Sequence, residues 1–185
     1  MPAPDERQLI ELAKAGDHEA FRTLVERYMK QAYVVAIGVV VDHADAQDIV
    51  QDAFVKIYHA LSTFRGDAEF STWMYRIVTN MSLNRVKQQR RQAERQVSRN
   101  VLETMLAGEV VDPAESIDVK THVERALHEL PTLQRAVVIL RHLDGLSTRQ
   151  VSTILKCSEG TVKTHLHRGL KRMKSLLISF QHDLT

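Results

Sequence analysis

Cysteine, glycine and proline are scarce in this chain of 185 residues, and long apolar runs are missing. A single cysteine, Cys157, excludes an internal disulfide bond and favours a cytoplasmic protein. Seven glycines and four prolines are too few for a turn-rich β architecture. The longest run of apolar character, residues 32–41, covers ten residues, whereas a membrane-spanning helix needs about 20. The opening "MPAPDERQ" has early acidic residues and no apolar segment, so we expect neither a secretory signal nor membrane insertion.

The net charge of +2 conceals a strong alternation of charge along the chain. Residues 61–100 and 132–185 carry net charges of +5 and +6, whereas residues 1–60 and 101–131 carry −4 and −5. Two basic segments separated by an acidic one indicate two surfaces that bind polyanions. Solvated helix faces of mixed charge are the alternative, and charge alone does not separate the two interpretations.

Apolar residues at helical spacing predict an all-α fold. Segments with apolar residues three and four positions apart recur up to residue 91 and again from residue 119. Asp5, Asp17 and Ser71 are the expected N-caps of three of these helices. Ser147, with Gln150 three residues later, predicts a capping box at the start of another helix.

Helical periodicity is lost between residues 92 and 118, where Pro113 interrupts the pattern. A stretch of this length without clear periodicity is unusual inside one compact domain. We therefore expect two small helical domains, residues 5–91 and residues 119–180, joined by a flexible linker, residues 92–118. Within the linker, residues 101–106 are predicted to form a short helix.

The stretch "GLSTRQVSTILKCSEGTVKTHLHRGLKRMK", residues 145–174, has the layout of a helix-turn-helix. A first short helix is followed by a tight turn at Cys157 and Ser158, and a second helix begins at Glu159. The apolar stripe of the second helix consists of Val162, Leu166, Leu170 and Met173. Its other face carries side chains that can contact phosphates and base edges in a DNA major groove: Lys163, Thr164, His167, Arg168 and Lys171. A helical hairpin with a basic solvent face is the alternative.

Three acidic residues, Asp45, Asp48 and Asp52, recur at positions i, i+3 and i+7 and predict one acidic stripe on a helix, with Gln51 beside it. Such a stripe can steer the approach of a basic partner, and a solvated acidic face is the alternative. A nucleic-acid enzyme that holds Mg²⁺ would need carboxylates that converge from separate elements, which this pattern does not contain. We therefore expect no metal site, no cofactor and no catalysis by this chain alone.

Six of the ten aromatic residues lie between Phe54 and Tyr75, around a polar "RGD" turn. In the helix that follows, a rotation of about 100° per residue separates two arcs. The core arc contains Met74, Ile77, Val78 and Met81. The second, polar and basic arc contains Arg76, Asn80, Leu83, Asn84 and Lys87. Trp73 falls between the two arcs, whereas Phe70 falls on the core side.

Two segments resemble regions of bacterial sigma factors. The segment "DAQDIVQDAFVKIYHALSTFRGDAEFSTWMYRIVTN" resembles region 2, and "LDGLSTRQVSTILKCSEGTVKTHLHRGLKRMK" resembles region 4. Their order and spacing are similar to those of the extracytoplasmic-function (ECF) sigma factors, and "FRGD", "TWMYRI" and "GTVK" resemble the sigma-E-like branch. The resemblance covers about residues 5–91 and 118–180. It implies a factor that binds core RNA polymerase and directs promoter-specific transcription initiation.

The resemblance also implies roles for individual residues. Asp48, Gln51 and Asp52 would contact the clamp helices of the polymerase β′ subunit, and the β flap would be a second contact. A loop at residues 62–69 would accept a flipped base of the −10 element. The implied −10 contacts are Phe64, Arg65, Trp73, Arg76, Asn80, Asn84 and Lys87. The implied −35 contacts are Arg149, Thr161, Lys163, Thr164, His167, Arg168 and Lys171. The family further implies a stress or envelope-response regulon and an anti-sigma factor, which can hold the chain at the inner membrane.

Overall fold

The computed structural model describes residues 5–100, 119–142 and 145–182, and every regular element within these ranges is helical. The helices are α1 (Glu6–Lys14), α2 (His18–Val40), α3 (His43–Ala60), α4 (Phe70–Asn100), α5 (Val119–His128), α6 (Thr132–His142), α7 (Thr148–Leu155) and α8 (Glu159–His182). A short 3₁₀ turn, Leu61–Thr63, follows α3. The all-α prediction is confirmed. The short helix predicted at residues 101–106 lies outside the described ranges.

The N-terminal half packs around α2, which contacts α1, α3 and α4. The Asp17 carboxylate accepts hydrogen bonds from the backbone N–H groups of Glu19 and Ala20, at 2.9 and 3.1 Å, and so caps α2 as predicted. Asp5 precedes α1 as predicted, but its side chain makes no capping hydrogen bond. Leu24 on α2 and Ile57 on α3 are fully buried in the core between these helices.

The long helix α4 differs from its prediction at both ends. It begins at Phe70, so Ser71 lies in the first turn and is not the N-cap. Trp73 N–H donates to the Glu69 carbonyl at 3.1 Å, which makes Glu69 the flanking residue. At the other end the helix continues to Asn100, nine residues into the segment predicted as linker. Arginine and glutamine favour helices without any apolar stripe, so periodicity alone ended this helix too early.

The C-terminal half contains α5 to α8, and α8 contacts each of the other three helices. Six consecutive residues of α6, Arg135 to Leu140, are buried. The capping box is confirmed, because Ser147 Oγ accepts from Gln150 N–H at 3.2 Å and Gln150 Oε1 accepts from Ser147 N–H at 2.8 Å. Lys156 adopts a left-handed conformation, φ 52°, that turns the chain sharply between α7 and α8.

The two halves pack against each other through two pairs of helices. Helix α6 lies against α2, and α7 lies against α4. Gly38 of α2 permits the first contact, because a Cβ atom there would overlap Cδ1 of Ile139 on α6. In the second contact, Gln150 Nε2 donates to Thr72 Oγ1 at 3.3 Å. Buried residues of both halves form one continuous apolar core. No helix in the described ranges is long and apolar enough to span a bilayer.

Candidate polymerase and nucleic-acid interfaces

The helix-turn-helix presents a polar face on α8. Val162 is fully buried and fixes the rotation of the helix, so the opposite residues project outward. We call this the α8 polar face; its members Lys163, Thr164, His167, Arg168 and Lys171 are all exposed. Arg149 on α7 is also exposed, whereas Thr161 is half-buried. Three cationic side chains, together with a threonine and a histidine, lie on one open helix face and can contact phosphates and base edges.

Details of this face depart from the predicted arrangement. Leu170 was placed in the apolar stripe but is 39% exposed, because it lies at the edge of the buried arc. The Thr164 hydroxyl donates to the Gly160 carbonyl at 2.9 Å, and the Thr161 hydroxyl lies 2.8 Å from Ser158 Oγ. Both threonine hydroxyls are therefore engaged in hydrogen bonds within the protein.

The loop after the 3₁₀ turn, together with α4, encloses a pocket of about 310 Å³. Gly66 has a φ of 78°, which residues other than glycine rarely adopt, and this conformation turns the loop back over α4. We call this cavity the loop pocket; it is lined by Thr63, Phe64, Arg65, Gly66, Asp67, Ala68, Thr72, Trp73, Arg76, Thr153 and Ile154. Its last two residues belong to α7, so the C-terminal half forms part of the wall.

The aromatic rings around the loop pocket divide between core and surface. Phe70 is 1% exposed and Phe64 is 8% exposed. The Trp73 ring is half-buried, with its centroid 5.1 Å from the Phe64 ring and 5.8 Å from the Phe70 ring. Phe64, an expected −10 contact, packs between Phe70 and Trp73 and forms part of the pocket wall. The half-buried Trp73 and the exposed Arg65 also line the pocket.

Helical phase along α4 was predicted correctly. Met74 and Val78 are fully buried, and Ile77 and Met81 pack at the margin of the core. We call the second arc the α4 polar arc. Its members Arg76, Asn80 and Leu83 are half-buried, and Asn84 and Lys87 are exposed. The arc leads away from the loop pocket, since Arg76 lines that pocket and Lys87 lies three turns further along the helix.

The acidic stripe on α3 is shorter than predicted. Asp48, Gln51 and Asp52 are exposed along the helix, as a docking surface requires. Asp45 instead faces α4, where its carboxylate accepts hydrogen bonds from Arg85 and Gln89. The stripe that is open to a partner therefore consists of Asp48 and Asp52.

An apolar groove lies between α2 and α3 and was not predicted from the sequence. It has a volume of about 1160 Å³, and we call it the α2–α3 groove. Met29 and Val55 on its walls are 48% and 53% exposed, although both are large apolar residues. Gln51 lies on the groove, so the polar face of α3 and the apolar groove are continuous. The missed signal was the excess of apolar residues on α2 and α3, which is more than one buried face requires.

Burial alters the pKa of three titratable groups in the C-terminal half. It lowers the pKa of the Arg135 guanidinium. Burial, together with the nearby Arg135 charge, lowers the pKa of His128. Burial raises the pKa of the Cys157 thiol, which keeps this thiol protonated and unreactive near neutral pH. Within the described ranges no three His, Cys, Asp or Glu side chains are grouped to hold a metal ion.

Comparison with known proteins places both halves of the chain in known families. Residues 24–92 match the family model for sigma-70 region 2, and residues 121–173 match the model for sigma-70 region 4. The RNA polymerase sigma-H factor of Pseudomonas aeruginosa strain PAO1 is 32% identical over 180 residues, which are 93% of each chain. The ECF RNA polymerase sigma-E factor of Escherichia coli strain K12 is 36% identical over 169 residues, 87% of this chain and 88% of that one.

A solved structure extends the likeness to three dimensions. The sigma factor RpoE of Bartonella quintana, crystallised with the anti-sigma factor NepR, superposes with a TM-score of 0.66 at 25% identity. The superposition covers 85% of this chain and 96% of that one, so it includes both helical halves. The chain therefore belongs to the ECF class of RNA polymerase sigma factors.

Proposed function

We propose that this chain binds core RNA polymerase and directs it to promoters, where it reads the −35 element with α8 and reads and opens the −10 element with the loop pocket and α4. The chain contributes recognition and binding energy, and the chemistry of RNA synthesis belongs to the polymerase. In this proposal residues 5–91 and 119–180 are the two functional domains, and residues 92–118 connect them.

The α2–α3 groove and the acidic face of α3 are the proposed site for the β′ clamp helices. An amphipathic helix binds by placing its apolar face into such a groove. Gln51 lines the groove, and the exposed carboxylates of Asp48 and Asp52 on the same helix would pair with basic residues on the docked helix. The β flap is the proposed second contact of the polymerase with the chain.

The loop pocket and the α4 polar arc are the proposed −10 site. A base released from the duplex can stack on Trp73 or on the Arg65 guanidinium, with about 1–3 kcal/mol per stacked base. A pocket of about 310 Å³ can hold one flipped base. Arg76, Asn80, Asn84 and Lys87 would follow the opened strand along α4.

The α8 polar face, with Arg149 and Thr161, is the proposed −35 site. The N-terminal part of a recognition helix contacts base edges, which places Lys163, Thr164 and His167 nearest to them. Arg168 and Lys171 lie further along the helix and suit phosphate contacts.

Control by an anti-sigma factor is part of the proposal, because a structural relative was crystallised with one. The exposed apolar walls of the α2–α3 groove offer such a partner the surface that the polymerase would use. Competition for one groove would silence transcription without any change in the chain. A cytoplasmic location, with the chain held at the inner membrane by its partner, and a role in stress or envelope responses belong to the same proposal.

The loop pocket beside Trp73 is the observation that best supports this proposal, because a regulator that binds only duplex DNA does not need a pocket for a flipped base. Run-off transcription with purified core polymerase and a matched promoter tests the function. We expect promoter-specific transcripts that depend on this chain. Tight sequence-specific binding without polymerase, and no stimulated transcript, would indicate a duplex-binding regulator. Metal-dependent nicking of the template would indicate a nuclease.

A further inference from the structure

The Asp45 carboxylate joins the start of α3 to the middle of α4. Asp45 Oδ1 accepts from Arg85 Nη1 at 2.5 Å, and Asp45 Oδ2 accepts from Gln89 Nε2. The Asp45 side chain is only 14% exposed, and that of Arg85 is 33% exposed. Asp45 also lies in the first turn of α3, where the helix dipole favours a negative charge. Both carboxylate oxygens thus accept hydrogen bonds from α4.

This contact lies where α4 leaves the core. Phe70, Met74 and Val78 anchor the first half of the helix by burial. Between Ser82 and residue 95 no described side chain of α4 is buried, and only Val86 packs at the margin of the core. The bonds from Asp45 therefore tie this stretch to the start of α3.

The restrained stretch includes the far end of the α4 polar arc. Arg85 lies between Asn84 and Lys87, which are proposed to contact the opened −10 strand. Asp45 itself lies one helical turn before Asp48, at the start of the proposed polymerase-binding face. One carboxylate thus connects the helix that docks on the polymerase to the helix that meets DNA.

We propose that Asp45 is a positioning residue for promoter opening, whose bonds to Arg85 and Gln89 hold the α4 polar arc in register with the polymerase-binding face of α3. The inference rests on the proposed function of these two surfaces. It differs from the simpler interpretation of Asp45 as one more acid in a polymerase-binding stripe. The two interpretations predict opposite effects on core binding and on strand opening.

The experiment uses full-length chain reconstituted with core polymerase on a matched promoter. The variants are Asp45→Asn, Arg85→Met and the double variant, and thermal unfolding checks that each one folds. Asp42→Asn is the matched control. It removes the same charge three residues earlier, and asparagine can still cap α3 by accepting from Asp45 N–H. Core affinity is measured by fluorescence titration, and strand opening by permanganate reactivity of −10 thymines.

We expect Asp45→Asn to reduce the open-complex equilibrium about tenfold, the scale of one charge-assisted hydrogen bond, with core affinity unchanged. Arg85→Met should have a similar or larger effect, because Arg85 also lies in a basic segment. In the double variant the effect of Asp45→Asn should disappear, since its partner is already gone. Asp42→Asn should open the promoter like the wild type.

Three results would overturn the inference. If Asp45→Asn lost core affinity as strongly as it lost promoter opening, Asp45 would be a polymerase contact and not a positioning residue. Additive effects of the two substitutions would show that Asp45 and Arg85 act separately. Normal opening by Asp45→Asn would show that the contact positions nothing. Failure of the proposed function is distinguishable, because in that case the wild-type chain itself would give no polymerase-dependent opening.

Discussion

Arg135 Nη2 donates a hydrogen bond of 2.6 Å to the main-chain oxygen of Val39 and so joins α6 to the end of α2. Carbonyls in the last turn of a helix have no partner within that helix, and α2 has no basic residue in its last turn. Arg135 Nη1 also lies 2.9 Å from the His128 carbonyl and 3.4 Å from the Leu130 carbonyl, just after α5. One buried guanidinium thus satisfies helix ends in both halves of the chain.

Replacing Arg135 with methionine should separate the two halves. The substitution keeps most of the apolar stem but leaves the Val39 carbonyl buried without a donor. We expect a loss of about 3 kcal/mol in the free energy of unfolding, the upper range for a hydrogen bond to a charged group. Urea denaturation measures that loss, and small-angle scattering should show a larger radius of gyration for the native chain.

Arg141→Met provides the matched control for this prediction. Arg141 lies on the same helix and donates to the Leu146 carbonyl, so its contact stays within the C-terminal half. Its loss should cost stability without increasing the radius of gyration. Equal compactness of the Arg135 variant and the wild type would show that Arg135 does not hold the halves together.

The contact between Gly38 and Ile139 gives a prediction that depends on genetic background. In a helix interior, alanine is favoured over glycine by about 1 kcal/mol. In the wild-type chain Gly38→Ala should nevertheless destabilise, because its Cβ would overlap Cδ1 of Ile139. In an Ile139→Val background that methyl group is absent, although Cγ1 remains 3.2 Å from the added Cβ, so the same substitution should destabilise the chain much less. Denaturant unfolding of the four chains compares the two effects; an equal effect in both backgrounds would contradict the close approach.

The sequence predicted best the features that follow from regular helical spacing. The arcs of α4 follow from a rotation of 100° per residue, and Trp73 lies between them as predicted. The α8 polar face follows in the same way from the burial of Val162. The N-cap at Asp17 was also predicted correctly, because the N–H groups that it caps lie only two and three residues further along the chain.

Contacts between distant residues could not be read from periodicity. Asp45 and Arg85 are 40 residues apart, and Arg135 and Val39 are 96 residues apart. Each pair depends on how helices cross, which an individual helix pattern does not encode. The burial of Phe64 has the same origin, since its ring is covered by Phe70 and Trp73 from the following helix. The α2–α3 groove likewise exists only once the two helices are placed together.

Trp73 should contribute to both stability and strand opening. Trp73→Ala removes ring contacts with Phe64 and Phe70 while the site remains half open to solvent, so we expect a loss of about 2 kcal/mol in unfolding free energy. Opening of a duplex promoter should fall more than tenfold if about 2 kcal/mol of base stacking is lost as well. Trp73→Phe retains a ring and is the control.

A premelted promoter separates the two contributions of Trp73. If the ring helps only to separate the strands, a template already mismatched at the −10 element should restore transcription by Trp73→Ala. If the ring also holds the flipped base, restoration should be partial. Normal opening of the duplex by Trp73→Ala, with stability reduced as expected, would assign the ring to the core alone.

Substitutions on the α8 polar face should weaken −35 binding and leave core affinity intact. Lys163→Ala or Arg168→Ala removes an exposed cation that does not support the core of the C-terminal half. Where the cation contacts a phosphate, the slope of log affinity against log salt should decrease by about 0.9. Where it contacts a base, about 1–3 kcal/mol of discrimination at one promoter position should be lost. Binding of the holoenzyme to promoter fragments across a salt series measures the salt slope and the base discrimination.

Arg22→Ala is the control. Arg22 is an exposed arginine on α2 in the other half, and its substitution should change neither the salt slope nor the base discrimination. An equal loss of core affinity in the α8 variants would mean that this face meets the polymerase and not the −35 element.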